Sequence, residues 1–179
     1  YTIGINLLLI FLIFEVLLLI VGVINTDFIN GQPQIVDIQT RKENEYIKMV
    51  NKDLNEIQQI HIDVGNLYQV FVNNQTSAVE KADETLTSHS ITLKRMHDEL
   101  KYLNTPERFK NFNEKFLSTV STFEKANNAL LSYFRSFDER YIQQFMQYQQ
   151  SYNNKMQQIT KMWQMLLDRS SKTGSFNLR

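Results

Sequence analysis

The scarcity of glycine and proline is the feature that most restricts the fold of this 179-residue chain. The sequence contains 5 glycines and 2 prolines, and between Gln34 and Thr173 there are only Gly65 and Pro106. A β-rich or α/β domain of that length normally needs many more turn residues. The sequence therefore predicts an all-α fold built from long helices.

An apolar segment occupies the N-terminal part of the sequence. Residues 3–24 read IGINLLLIFLIFEVLLLIVGVI, in which Asn6 and Glu15 are the strongly polar positions. A helix of this length reaches roughly 33 Å, which is enough to cross a bilayer core. The run is also longer than the apolar core of a cleavable signal peptide. We expect a transmembrane helix over residues 1–24, followed by a linker over 25–40 that contains Gly31 and Pro33.

The charges around this segment bear on its orientation and partners. The flank from Asn25 to Thr40 has no Lys or Arg, and basic residues begin with Arg41 and Lys42. Because basic residues are retained on the cytoplasmic side, this flank favours an extracytoplasmic main domain. Glu15 lies near the middle of the span, where a carboxylate is costly. We expect it to contact a membrane partner or a second copy of the chain; the alternative is a protonated glutamate that faces lipid.

Apolar residues at heptad spacing predict an antiparallel up-down four-helix bundle over residues 41–170. The predicted seam of the first helix is Ile47, Val50, Leu54, Ile57, His61, Val64, Tyr68 and Phe71. The predicted helix boundaries are marked by a capping box, a Thr-Pro-Glu start and a second capping box: Ser77 with Glu80, Thr105-Pro106-Glu107, and Ser136 with Glu139. Residues 171–179 are expected to be a flexible tail. The alternative fold consists of long helical hairpins that form a coiled coil between chains.

Two histidines interrupt the apolar seams. If the helices are antiparallel, the turn positions place His61 and His89 at one level of the bundle, with Thr119 and Tyr152 near the same level. Such a layer can fix helix register, form a small-ligand pocket between helices, or act as a pH switch or metal site. The di-iron pattern of Glu with Glu-x-x-His is absent, and no metal or cofactor is predicted.

Trp163 and Gly65 each allow two interpretations. Trp163 lies beside apolar and basic residues near the expected membrane end, which is typical of a membrane interface, or it closes the end of the core. Gly65 follows His61 by four residues. It either accommodates close packing or leaves room for something bound there.

Composition and the absence of known motifs argue against nucleic-acid binding and against enzymatic activity. The chain has no cysteine, and its 19 basic and 19 acidic side chains balance, which gives no general reason to expect nucleic acid as a partner. Residues 25–100 have an excess of acidic groups and residues 101–179 an excess of basic groups. Phosphate-binding loops, His-Glu-x-x-His and nucleophile-elbow motifs are absent from the sequence, so we expect no enzymatic activity.

These observations predict a single-pass membrane protein with a helical bundle outside the cytoplasm. Its expected role is that of a scaffold, adaptor or subunit of a cell-envelope complex, with lipid and other membrane proteins or itself as partners. One alternative is a small-ligand or pH sensor centred on His61 and His89. Another is a pilin-like filament subunit, although Ile5 stands where bacterial pilins usually have glutamate. In architecture alone the chain resembles the helical sensor modules of bacterial chemoreceptors, but it has one apolar span.

Overall fold

The computed structural model describes residues 26–29, 32–35, 38–72 and 79–174, with side chains described for 38–70 and 81–168. Long helices dominate these ranges, which confirms the predicted helical bundle. The expected transmembrane helix over 1–24, including Glu15, lies outside the described residues. Among the helices that are described, none is both long and apolar enough to cross a membrane.

The chain divides into two compact units, residues 1–48 and 49–179. In the first unit, β1 (Thr26–Ile29) and β2 (Gln32–Ile35) form an antiparallel hairpin. This hairpin falls within the segment 25–40 that the sequence analysis assigns to a linker. The sequence between the strands is Asn30-Gly31, the pair most typical of a two-residue hairpin loop.

Four helices follow: α1 (Ile38–Val72), α2 (Val79–Tyr102), α3 (Lys110–Ser136) and α4 (Glu139–Gly174). A 3₁₀ turn, Glu107–Phe109, precedes α3. The helices extend beyond the predicted boundaries at both ends of the bundle, because α1 begins before Arg41 and α4 continues to Gly174, within the expected tail. Long continuous helices are the consequence of a sequence nearly free of helix breakers.

Within the second unit, side-chain contacts show that α1 and α2 are antiparallel. Glu56 of α1 accepts a hydrogen bond from Arg95 of α2 at 2.7 Å, and Asp63 lies 3.4 Å from His89. As the residue number rises along α1, the number of its partner on α2 falls. Short connections between long helices favour antiparallel neighbours of this kind.

The other helix pairs follow the same rule. The side-chain amides of Asn113 and Asn127 on α3 donate to the carbonyl oxygens of Leu100 and Leu86 on α2, at 3.0 and 2.8 Å. Between α3 and α4, the paired rings are Phe123 with Tyr152 and Phe112 with Trp163, whose centroids are 4.2 and 4.7 Å apart. Between α1 and α4, Tyr68 contacts Phe145. These contacts link all four helices within one chain.

Helix α3 is the most deeply buried element of the bundle. Four of its apolar positions, counting the preceding 3₁₀ turn, are fully buried phenylalanines: Phe109, Phe112, Phe116 and Phe123. Burial of one such side chain contributes on the order of 2–3 kcal/mol to folding. The heptad spacing of apolar residues along α3 predicts this buried face and continues to Phe137. That residue ends α3 in the left-handed conformation with φ 55° and is 61% exposed.

The seam of α1 differs from the prediction by a small rotation of the helix. The buried positions after Met49 are Val50, Asp53, Ile57, Ile60 and Val64. Leu54 and His61, both predicted to lie in the seam, are half-buried at its edge. The apolar stripe of α1 is wider than a coiled-coil seam, so the pattern alone does not fix which edge faces the core.

The predicted caps were wrong in two places. The cap of α4 is Asp138, whose carboxylate accepts a hydrogen bond from the backbone N–H of Arg140 at 3.0 Å. Ser136, the predicted cap, ends α3 and donates to the carbonyl of Ser132. At the start of α3, the hydroxyl of Thr105 donates back to the carbonyl of Leu103 at 3.4 Å. The 3₁₀ turn that begins at Glu107 has Pro106 as its N-cap and no side-chain capping bond.

Candidate functional site

A groove of about 950 Å³ opens between α1 and α4. Its volume lies in the range of sites that hold small molecules. Its floor is formed by half-buried and buried side chains from both helices: Leu54, His61, Tyr152, Met156 and Trp163. The groove exists because α1 presents the edge of its apolar stripe, rather than the centre, toward α4.

The rim of the groove is polar. It consists of exposed side chains on both helices: Asn55, Gln58, Asn153, Gln157, Thr160 and Lys161. The four amide side chains have no hydrogen-bond partner among the described residues, and Lys161 has no ion pair there. Thr160 donates to the carbonyl of Met156 within its own helix. The rim therefore offers amide donors and acceptors that a bound molecule can use.

His61 and Tyr152, two of the four residues predicted for the polar layer, come together in this groove. Their ring centroids are 5.4 Å apart, and the Tyr152 ring stacks on Phe123. The amide nitrogen of Gln149 lies 3.1 Å from Nδ1 of His61. In this orientation of the amide, its nitrogen donates to Nδ1 of a neutral imidazole, and the proton of the ring is then on Nε2.

Both ring groups are held in their neutral forms. Burial lowers the pKa of His61 below its usual value of 6.5. Burial also raises the pKa of Tyr152 above its usual value of 10.0. Loss of water around a group penalises its charged form, which for histidine is the cation and for tyrosine the anion. At neutral pH the floor of the groove is therefore uncharged.

The other two predicted residues lie elsewhere in the bundle. His89 is a buried residue of α2, and its Nε2 lies 3.4 Å from the carboxylate of Asp63 on α1. Burial lowers the pKa of His89, and the nearby Asp63 opposes that shift. Thr119 is buried and donates to the carbonyl of Lys115 in its own helix at 2.8 Å. Neither His89 nor Thr119 lines the groove.

Trp163 lies where the lining of the groove meets the buried core of the bundle, and we call this the core end of the groove. It is 5% exposed, its ring packs on Phe112 and Phe109, and its indole nitrogen donates to Asn51 at 3.0 Å. This placement fits the interpretation in which Trp163 closes the core, because the amphipathic ring buries its body and bonds its N–H.

Acidic residues are absent from the α4 side of the groove. The sequence has no Asp or Glu between Glu139 and Asp168. On α1, Glu56 lies within the same turns as the groove residues, but Arg95 of α2 holds its carboxylate. Lys161 is the charged residue of the lining. The local field in the groove therefore favours neutral or anionic groups.

Within residues 38–70 and 81–168, no group of three or more His, Asp or Glu side chains is placed to hold a metal ion.

Gly65 is not required for close packing among the described residues, because a Cβ at this position would meet no described atom within 4 Å. The space beside Gly65 is therefore open.

The amide and lysine residues of the rim were missed by the sequence analysis. They lie on what a heptad pattern treats as the polar face, where Asn and Gln usually only contact water. The available signal was the acid-free, amide-rich stretch between Glu139 and Asp168. No family model, curated protein or solved structure matches the chain. The assignment of function therefore depends on the geometry of the groove.

Proposed function

We propose that this chain is a membrane-anchored, non-enzymatic binding module whose α1–α4 groove takes a small ligand. The groove itself carries the proposal. It combines a floor of apolar and aromatic side chains with free hydrogen-bonding groups at the rim, the composition typical of small-molecule sites. This is the sensor function that the polar layer suggested, with the site moved from the centre of the bundle to its α1–α4 side.

A binding role suits this groove better than a catalytic one. His61 and Tyr152 are its titratable floor residues, and both are neutral at pH 7 because of burial. Neither has a carboxylate beside it in the lining to orient or activate it. General acid–base catalysis needs a group whose pKa is tuned toward the working pH, and burial moves the pKa of Tyr152 away from it.

The membrane part of the proposal comes from the sequence. The apolar segment 1–24 would anchor the bundle outside the cytoplasm as an adaptor or subunit of a cell-envelope complex, and Glu15 would contact a partner in the bilayer. Replacement of Glu15 by Leu should then remove partners that co-purify with the wild-type chain in mild detergent. Unchanged co-purification would contradict this role of Glu15.

Two neighbouring glutamines provide a matched test of the groove. Gln157 lies on the rim, whereas the adjacent Gln158 is exposed and outside the lining. The full chain is incubated with a small-molecule cell extract, washed, and analysed by mass spectrometry. We expect the wild type and the Gln158→Phe variant to retain the same compounds, and the Gln157→Phe variant to lose them. Equal retention by both variants, or no retained compound, would overturn the proposed function.

A further inference from the structure

We infer that the ligand of the α1–α4 groove is a small organic monoanion, such as a carboxylate, attached to an apolar body. This inference rests on the proposed function and names the ligand class of the same groove. Three observations carry it: the single charge of the lining, the donors placed around it, and the apolar floor between them.

The charge of the lining comes from Lys161. Its ammonium has no ion pair among the described residues, and the lining includes no carboxylate. The nearest lysine on α4, Lys155, is engaged on the α3 side, where it donates to the hydroxyls of Ser118 and Thr122 at 2.9 and 2.8 Å. One unpaired positive charge in an acid-free groove attracts an anion of one negative charge.

Hydrogen-bond donors lie along the same groove. With the amide nitrogen of Gln149 as the donor to Nδ1 of His61, Nε2–H of that ring is a donor. The rim amides of Gln58 and Gln157 add further donors that no described residue occupies. A carboxylate accepts several such bonds at once and is attracted by Lys161, whereas an ammonium ligand could bond the amide oxygens of the rim but would be repelled by Lys161.

The floor requires an apolar body. Leu54, Met156 and the ring of Tyr152 provide apolar surface in the lining. From Asn153 to Lys161 the helix advances roughly 12 Å at about 1.5 Å per residue. A ligand of this class therefore has a ring or short chain that covers the floor, with its anionic end toward Lys161.

The single tryptophan of the chain provides the readout, because Trp163 lines the groove. The full chain is reconstituted in phosphatidylcholine vesicles, and emission of Trp163 is titrated with three probes of one shape: 4-phenylbutanoate, 4-phenylbutanamide and 4-phenylbutylammonium. We expect saturable changes with the carboxylate, about fivefold weaker affinity for the amide, and weaker affinity still for the ammonium.

Two lysine variants separate the ligand class from the existence of the site. Lys161→Gln should weaken carboxylate binding to the level of the amide and leave the amide unchanged, whereas Lys94→Gln, an exposed lysine on α2, should change neither. If all three probes bind equally, or Lys161→Gln has no effect, the monoanion inference is overturned while the groove remains a binding site. If none of the probes gives a saturable response, both the inference and the proposed function are contradicted.

Discussion

Trp163 of α4 donates its indole N–H to the side-chain oxygen of Asn51 on α1 at 3.0 Å, at the core end of the groove. The ring packs against Phe112 on its other side. The pair ties α1 to α4 beside a stretch where the two helices are separated by the groove. Asn51 is exposed, so its value to the fold lies in this one bond.

Asn51→Ala should therefore destabilise the bundle by about 1 kcal/mol, the usual net contribution of one hydrogen bond. The emission of Trp163 should also change, because its indole N–H loses a protein acceptor. Asn55→Ala is the matched control: Asn55 lies one turn further along α1 with no partner among the described residues. Chemical denaturation monitored by Trp163 measures both variants, and equal stabilities would show that the Asn51 bond contributes nothing.

Replacement of Gly65, unlike that of Asn51, should increase the stability of the bundle. Its position in α1 is exposed, and a Cβ there would meet no described atom within 4 Å. Alanine in a helix interior is more favourable than glycine by about 0.5–1 kcal/mol. Gly65→Ala should raise the free energy of unfolding by that amount. A lower stability of this variant would show that the site needs the freedom or space of glycine.

Asn127 forms the principal buried polar contact between α2 and α3. It is fully buried, and its amide donates to the carbonyl of Leu86 and the hydroxyl of Ser90, both at 2.8 Å. Asn127→Ala should cost about 1–2 kcal/mol, because it removes both bonds of the amide, while the Leu86 carbonyl keeps the Ser90 hydroxyl as a donor. Asn111→Ala, at an exposed position of α3 without a hydrogen-bond partner among the described residues, should cost less than about 0.5 kcal/mol. Similar losses in the two variants, measured by urea denaturation, would contradict this assignment.

Asp53 is a buried carboxyl group in the seam between α1 and α2. It is 0% exposed, and neither of its oxygens has a hydrogen-bond partner among the described residues. Burial raises its pKa to about 6, an effect to which Glu99 and Glu56 add and which Arg95 and Lys52 oppose. The folded state therefore holds a proton between about pH 4 and pH 6 that the unfolded state has released.

The stability due to Asp53 is consequently present below about pH 4 and lost as the pH rises through 6. The rise of the Asp53 pKa from 3.8 to about 6 corresponds to about 3 kcal/mol. Asp53→Asn should stabilise the bundle by about 1–3 kcal/mol at pH 7.5 and change it little at pH 4. The lowered pKa values of His61 and His89 destabilise the wild type and the variant alike in acid, so the difference isolates Asp53.

Urea denaturation at the two pH values measures this difference. Glu84→Gln, which neutralises an exposed carboxylate on α2, serves as the control and should have similar effects at both. An equal effect of Asp53→Asn at pH 4 and 7.5 would mean that the carboxyl group is not the source of the pH dependence.

The sequence allowed the helices and most of the core to be predicted, because apolar residues at heptad spacing continue through α2 and α3 with few interruptions. The buried Asp53 could not be predicted, since Leu54 beside it completes an equally good apolar stripe. Which stripe faces the core depends on the rotation of α1 about its axis, which is set by packing against the other helices. His61 and Tyr152 were predicted as neighbours and both line the groove, whereas His89, predicted at the same level, does not.

The central claim is that the groove between α1 and α4 holds a small molecule, and thiol protection tests it most directly. Because the chain has no cysteine, Gln157→Cys and Gln158→Cys each introduce one unique thiol. The rate of maleimide labelling of the full chain is measured with and without a small-molecule cell extract, after removal of extract thiols. The account predicts slower labelling in the extract for Gln157→Cys and an unchanged rate for Gln158→Cys. Unchanged rates for both variants would contradict it.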